Sequence, residues 1–240
     1  WEKLYDNHKN LFSRPISFQF FRDFIVRSFE KKSIILFKKL KFDSEKNLDG
    51  RGVQSGIRYT AVSKKRLDNI EYCIDEILNN NVEGDFIETG VWRGGACIFM
   101  RELLRINNIK DRKVFVADSF EGMPKPKDKF DGPDHTLLDS AKVSLEEVKE
   151  NFNMFNINDD QVVFIKGWFS ESLPNAPIKK ISLLRLDGDL YHSTMDSLKN
   201  LYHKVSKGGY VIIDDYYDWP ECKRAVTEFR NENSIKSELI

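Results

Sequence analysis

The sequence lacks any apolar run approaching the ~20 residues of a membrane-spanning helix, and its first residues show no signal-peptide pattern. A soluble, cytoplasmic protein is expected. Cysteine is scarce: Cys73, Cys97 and Cys222 stand alone with no Cys-x-x-Cys spacing, which excludes a disulfide framework or a zinc site and suits a reducing compartment. There is no excess charge of either sign, with 38 Lys and Arg against 38 Asp and Glu, so nothing points to nucleic acid or a membrane surface as the main partner. Also missing are a Gly-x-Gly-x-x-Gly loop, which argues against a nicotinamide-dependent oxidoreductase, and a Walker Lys-Ser/Thr. The chain begins at Trp1 rather than Met, which points to a trimmed piece and leaves room for an upstream domain or a homo-oligomeric partner.

The length of 240 residues suits one large domain with a small appendage. Residues 1–58 form that appendage. Between Ser13 and Phe42 eight Lys or Arg face only Asp23 and Glu30, and seven of the 18 Phe fall there. A helical segment is expected, packing its Phe stripe on the main domain or across a dimer. A membrane-surface or partner-binding helix is the sharper alternative. Residues 59–240 then alternate between strand and helix signals. Ser63 caps a helix with apolar residues from Leu67 to Leu78, followed by strand Asp85 to Thr89, helix Gly95 to Arg105 and strand Lys113 to Ala117. After a long loop come helix Ser144 to Phe155 with a capping box, strand Val162 to Lys166, a short helix near Ser170, and a last helix from Pro220 to Asn231. This is the order of a doubly wound α/β sheet. Only Ser237 to Ile240 remains for a sixth strand, so a truncated sheet edge is expected.

The centre of the sequence is Ile181 to Asp215. Ile181 to Leu186 and Tyr210 to Ile213 read as buried parallel strands, with Ser193 to Val205 as the helix between them, capped by Ser193 or Thr194 and ended by Gly208-Gly209. Adjacent parallel strands end on one edge of the sheet, where open α/β folds place their ligand crevice. Asp187, Asp214 and Asp215 therefore converge. Three carboxylates together need either a cation between them or solvent access and raised pKa values, and a hard divalent ion is the favoured reading.

Asp85 to Gly95 is a strand, a glycine turn and a helix start. Gly90 permits the turn, and Gly94-Gly95 permit close approach to the backbone. Glu88 beside that turn disfavours a pyrophosphate and favours a cationic ligand such as S-adenosylmethionine, which carries an ammonium and a sulfonium. Asp118 ends the second strand as ribose-binding acids do, and with the glycine turn present that role is favoured over a helix or loop cap. Gly167, Trp168 and Phe169 offer either an adenine wall or core packing.

Five ordered blocks then carry a resemblance. Glu88-Thr89-Gly90-Val91-Trp92-Arg93-Gly94-Gly95, Ala117-Asp118-Ser119-Phe120-Glu121-Gly122, Ser144-Leu145-Glu146-Glu147-Val148, Asp187-Gly188-Asp189-Leu190-Tyr191 and Gly209 to Tyr216 resemble the macrocin O-methyltransferase family over about Arg58 to Asn231. The resemblance implies a Rossmann-like class I methyltransferase fold, S-adenosylmethionine as methyl donor, and a magnesium ion held by Asp187, Asp214 and Asp215. Glu88, Thr89, Gly90, Val91, Trp92, Arg93, Gly94, Asp118, Ser119, Gly167, Trp168 and Asp187 would surround the donor, and a sugar or glycosylated metabolite would accept the methyl group. Asp187 is the economical proton acceptor and His192 the runner-up. Asp189 reads as a cap or a second-rank partner. The loop from Ser119 to Ser140, with Asp131, Asp134, His135 and Asp139, reads as a lid or acceptor wall. A catechol-like phenol acceptor is less well matched, because Leu190 stands where catechol-type enzymes carry a Lys. A non-catalytic binding domain in a larger assembly is the rival of a different class.

Overall fold

The computed structural model describes residues 59–239; the helical expectation for residues 1–58 lies outside the described residues. In chain order the elements are α1 (Lys64–Asn79), β1 (Asp85–Thr89), α2 (Gly95–Ile106), β2 (Val114–Asp118), α3 (Leu145–Met154), β3 (Val162–Lys166), α4 (Phe169–Ser172), β4 (Ile181–Leu186), α5 (Tyr191–Leu201), β5 (Val205–Ile213) and α6 (Pro220–Glu232). The strands form one sheet in the order β3-β2-β1-β4-β5, with every neighbouring pair parallel.

Local chemistry sets several boundaries. The Ser63 hydroxyl accepts from the Arg66 amide at 3.4 Å and starts α1. Ser144 accepts from the Glu147 amide at 3.1 Å and starts α3. Pro220 opens α6, where its missing N–H costs nothing. The apolar stripe of α1 buries Ile70, Ile74 and Ile77, each contributing on the order of 1.5–3 kcal/mol through removal from water. Helices α5 and α6 bury Met195, Leu198, Leu201, Ala225, Val226 and Phe229 in the core shared with β4.

One part of the central unit differs from the sequence expectation. Helix α5 runs from Tyr191 to Leu201, a single 3-10 turn follows, and β5 already begins at Val205. Gly208-Gly209 therefore lie inside the strand and do not end the helix. The register explains why: Ile181 pairs with Val205 but Leu183 pairs with Tyr210, so β5 carries extra residues opposite Ser182. Gly208 takes φ +86° in this bulge, and a Cβ on Gly209 would meet the Ser182 carbonyl at 2.8 Å. No strand follows α6 among the described residues, where the sheet ends at β5.

The chain moves outward from β1 to β2 and β3, then returns to β4 on the other side of β1. The strand order reverses between β1 and β4, and the crevice beyond their C-terminal ends is where such folds bind ligands. The residues just past the strands line up there: the Asp187 amide donates to the Thr89 carbonyl at 2.9 Å, and the Asp214 amide to that of Leu186 at 2.9 Å. Gly90 and Gly167 make the equivalent bonds to Ala117 and Asp118, each at 2.9 Å.

Candidate active site

A cavity of about 760 Å³ opens on this edge. Its floor follows from strand geometry. Glu88 lies opposite Arg185 in the β1–β4 register, and side chains alternate along a strand, so Arg185 and Asp187 share one face with Glu88. Asp214 extends β5 beside Asp187 and joins them. Arg185 is fully buried and bonds all three acids: Nη1 donates to Glu88 Oε1 and, at 2.6 Å, to Asp187 Oδ2, while Nη2 donates to Asp214 Oδ1. Burial works against its charge, but the attraction of Asp187, Glu88 and Asp214 overrules this and holds it protonated.

A second guanidinium reaches the cluster from α1. Arg66 donates to Asp214 Oδ2 and to Asp218 Oδ2, both at 2.6 Å. Neither arginine was foreseen as part of the site. Arg185 left a signal, since a cation inside the run Ile181 to Leu186 can be buried only with partners; Arg66 sits on a half-exposed helix face and left none.

Asp187, Asp214 and Asp215 converge as expected, each offering a carboxylate oxygen within 4.8 Å of the others. Burial, then the neighbouring charge of Asp187, raises the carboxyl groups of Asp214 and Asp215 above the ordinary range. Asp189 is raised for the same two reasons, and its backbone takes a left-handed φ of 55°. Its amide donates to Asp215 Oδ2 at 3.1 Å. Five acids, Glu88, Asp187, Asp189, Asp214 and Asp215, thus crowd around two guanidinium groups, and burial with mutual repulsion raises Glu88, Asp189, Asp214 and Asp215 towards protonation. An all-oxygen donor set whose carboxylates repel one another in this way suits a hard divalent cation, so the residues fit magnesium.

The donor-side residues divide. Glu88, Gly90, Val91, Trp92, Asp118, Ser119, Gly167, Trp168 and Asp187 line the cavity. Thr89, Arg93 and Gly94 do not. Thr89 is buried; Arg93 turns to Glu147 at 3.5 Å and stacks on Trp92; Gly94 packs on α3, where a Cβ would meet Val148 and Phe152 at 2.9 Å. Gly90 takes φ +86°, and a Cβ there would collide with the Asp187 carbonyl. Glu88 already uses both oxygens, one on Arg185 and the other accepting from the Cys97 thiol at 2.9 Å. Burial pushes it up to about 7, against the pull of Arg185.

Asp118 accepts from the amides of Val91 and Phe120, both at 2.8 Å, which ties the glycine turn to the end of β2. Burial raises its carboxyl group despite those bonds. The loop-cap role is therefore filled, with the Ser119 hydroxyl also 3.4 Å from Oδ1, while the carboxylate still lines the cavity. His192 lines the cavity, but its ring Nε2 lies 3.0 Å from Asp128 of the long loop.

Comparison with known proteins gives this geometry its family. The model described as Macrocin-O-methyltransferase (TylF) matches residues 2–240, wider than the stretch that carries the motifs. Demethyldecarbamoylnovobiocin O-methyltransferase of Streptomyces niveus is 51% identical over 187 residues, 76% of this chain and 71% of that protein. The 8-demethyl-8-(2,3-dimethoxy-alpha-L-rhamnosyl)-tetracenomycin-C 4'-O-methyltransferase of Streptomyces olivaceus is 44% identical over 207 residues, 82% of this chain and 77% of that protein. The solved structure of the O-methyltransferase NovP superposes with a TM-score of 0.78 at 48% identity, covering 81% of this chain and 82% of that one. The chain belongs to the macrocin O-methyltransferase family, class I enzymes that depend on S-adenosylmethionine.

Proposed function

We propose that this protein transfers a methyl group from S-adenosylmethionine to a hydroxyl on the sugar of a glycosylated small molecule, with a magnesium ion held by Asp187, Asp214 and Asp215. The observation that carries the reading is the convergence of those three acids within 4.8 Å at the floor of a cavity also walled by the glycine turn. The acceptor class is supported by the tetracenomycin relative, whose name specifies a rhamnosyl substrate and its 4'-oxygen.

When bound, the divalent cation supplies Lewis acidity and a template for the acceptor's hydroxyls. The chain's own groups do the rest. Arg185 fixes Asp187 and Asp214 in one geometry, so the acids do not spread under their mutual repulsion. The glycine turn, Asp118 and Trp168 hold the donor along the ends of β1 to β3, and a reactive geometry is set by that positioning. Asp189 is the proton acceptor this geometry favours. It lines the cavity and its amide is pinned by Asp215, whereas Asp187 is tied to Arg185 and His192 to Asp128.

The test is methyl transfer from labelled S-adenosylmethionine to a panel of glycosides, their aglycones and catechols, with magnesium and with chelator. Transfer to glycosides in magnesium alone is expected. Undiminished transfer in chelator refutes the metal, and transfer to catechols alone refutes the sugar.

A further inference from the structure

Helix α5 begins without a capping side chain of its own. Its N-cap is Leu190, which offers no acceptor to the free amides of the first turn. The acceptor comes from the long loop. Asp131, only 1% exposed, receives the His192 amide on Oδ1 at 2.8 Å and the Lys127 amide on Oδ2 at 2.9 Å. One carboxylate therefore closes a turn in its own loop and caps a helix 61 residues later. Its charge also opposes the positive end of the helix dipole.

This cap stands directly after the Asp187-Gly188-Asp189 turn. That turn is consequently held from two sides: Asp215 binds the Asp189 amide, and Asp131 binds the His192 amide. Further contacts seat the same loop. Asp128 meets the His192 ring at 3.0 Å, Lys127 Nζ lies 3.1 Å from Asp196 on α5, and the Arg224 guanidinium of α6 covers Phe130 at 3.9 Å. Gly132 takes φ +70° with the Glu221 carboxylate where a Cβ would stand. The seated loop contributes Gly122, Met123, Pro124 and Lys125 to the cavity wall.

We propose that Asp131 is a positioning residue for methyl transfer, docking the 119–143 loop onto the start of α5 so that the cavity wall and the turn bearing Asp187 and Asp189 adopt one arrangement together. The functional part of this inference rests on reading the cavity as the methyl-transfer site. Asp131 acts through the His192 and Lys127 amides, since both of its oxygens are engaged there.

The test is hydrogen exchange on the full chain, with calorimetric titration of S-adenosylhomocysteine as the ligand probe, for wild type, Asp131→Ala and Asp131→Asn. Loss of a buried, charge-assisted bond predicts exchange roughly tenfold to a hundredfold faster in both 119–143 and 188–194 for the alanine variant, with β1 and β4 still protected and the probe bound several-fold more weakly. Asparagine keeps one acceptor oxygen and should give an intermediate result. Unchanged exchange in 188–194 while the loop is released overturns the inference, as does full probe affinity in a variant whose loop is released. If the alanine variant fails to fold, the asparagine variant decides by the same comparison. Failure of wild type to bind the probe contradicts the reading of the cavity, whereas the exchange data judge the docking on their own.

Discussion

Glu88 and Arg185 sit opposite each other on the adjacent parallel strands β1 and β4, and the guanidinium of Arg185 bonds the Glu88 carboxylate inside the protein before reaching Asp187 and Asp214. One buried cation thereby joins the glycine-turn side of the cavity to its acidic side. Removing one partner from such a network leaves uncompensated buried charge, which is costly, even though the whole network adds little against apolar packing.

Replacing Arg185 by Met should therefore destabilise the fold by about 3–5 kcal/mol, read as a lower urea midpoint with unchanged slope. Replacing Arg66, which is 40% exposed at its side chain, should cost far less, within about 1 kcal/mol. Equal effects of the two substitutions would show that burial does not set the strength of these contacts.

The Glu88 carboxyl gives a pH signature. Burial raises it from an ordinary 4.5 to about 7 in the folded protein, so between those values the native state holds a proton that the unfolded state has released. Its contribution to stability consequently falls as pH rises through that window. Glu88→Gln removes this slope. Denaturation of both proteins across pH 4.5 to 7 should show the wild type losing stability relative to the variant with rising pH, and parallel curves would contradict the assignment.

Cys73, Cys97 and Cys222 are all buried and unpaired. Burial, reinforced by nearby carboxylates, pushes the Cys73 and Cys222 thiols up to about 12 and raises Cys97 well above its ordinary value. Thiolate is the reactive form, so the native protein should react slowly with an aromatic disulfide reagent, with little acceleration between roughly pH 7 and 9. All three should react at once in denaturant. A fast native thiol would place one of them at the surface.

Much of the fold was legible because short strands end abruptly. Asp85–Thr89 and Val162–Lys166 lie where the sequence expectation put them, since each is a short run with an apolar centre stopped by a glycine, Gly90 or Gly167. The Ser63 and Ser144 caps were legible because a cap acts on amides within three residues. Gly208-Gly209 was misread because a glycine pair serves a helix end and a strand bulge equally well, and only the pairing with β4 decides between them. The acidic trio followed from strand order alone. Arg185 did not, because its partners depend on the register between three strands, and Asp131 did not, because nothing local links a loop carboxylate to an amide 61 residues away.

The most direct test of the account is calorimetric titration of magnesium into the full chain with S-adenosylhomocysteine present, comparing wild type with Asp187→Asn and Asp215→Asn. The expected result is saturable binding of one ion per chain in the wild type, lost in both variants while their thermal unfolding stays cooperative. The absence of saturable binding in the wild type, or binding that survives both substitutions, would contradict the assignment of Asp187, Asp214 and Asp215 as the metal site.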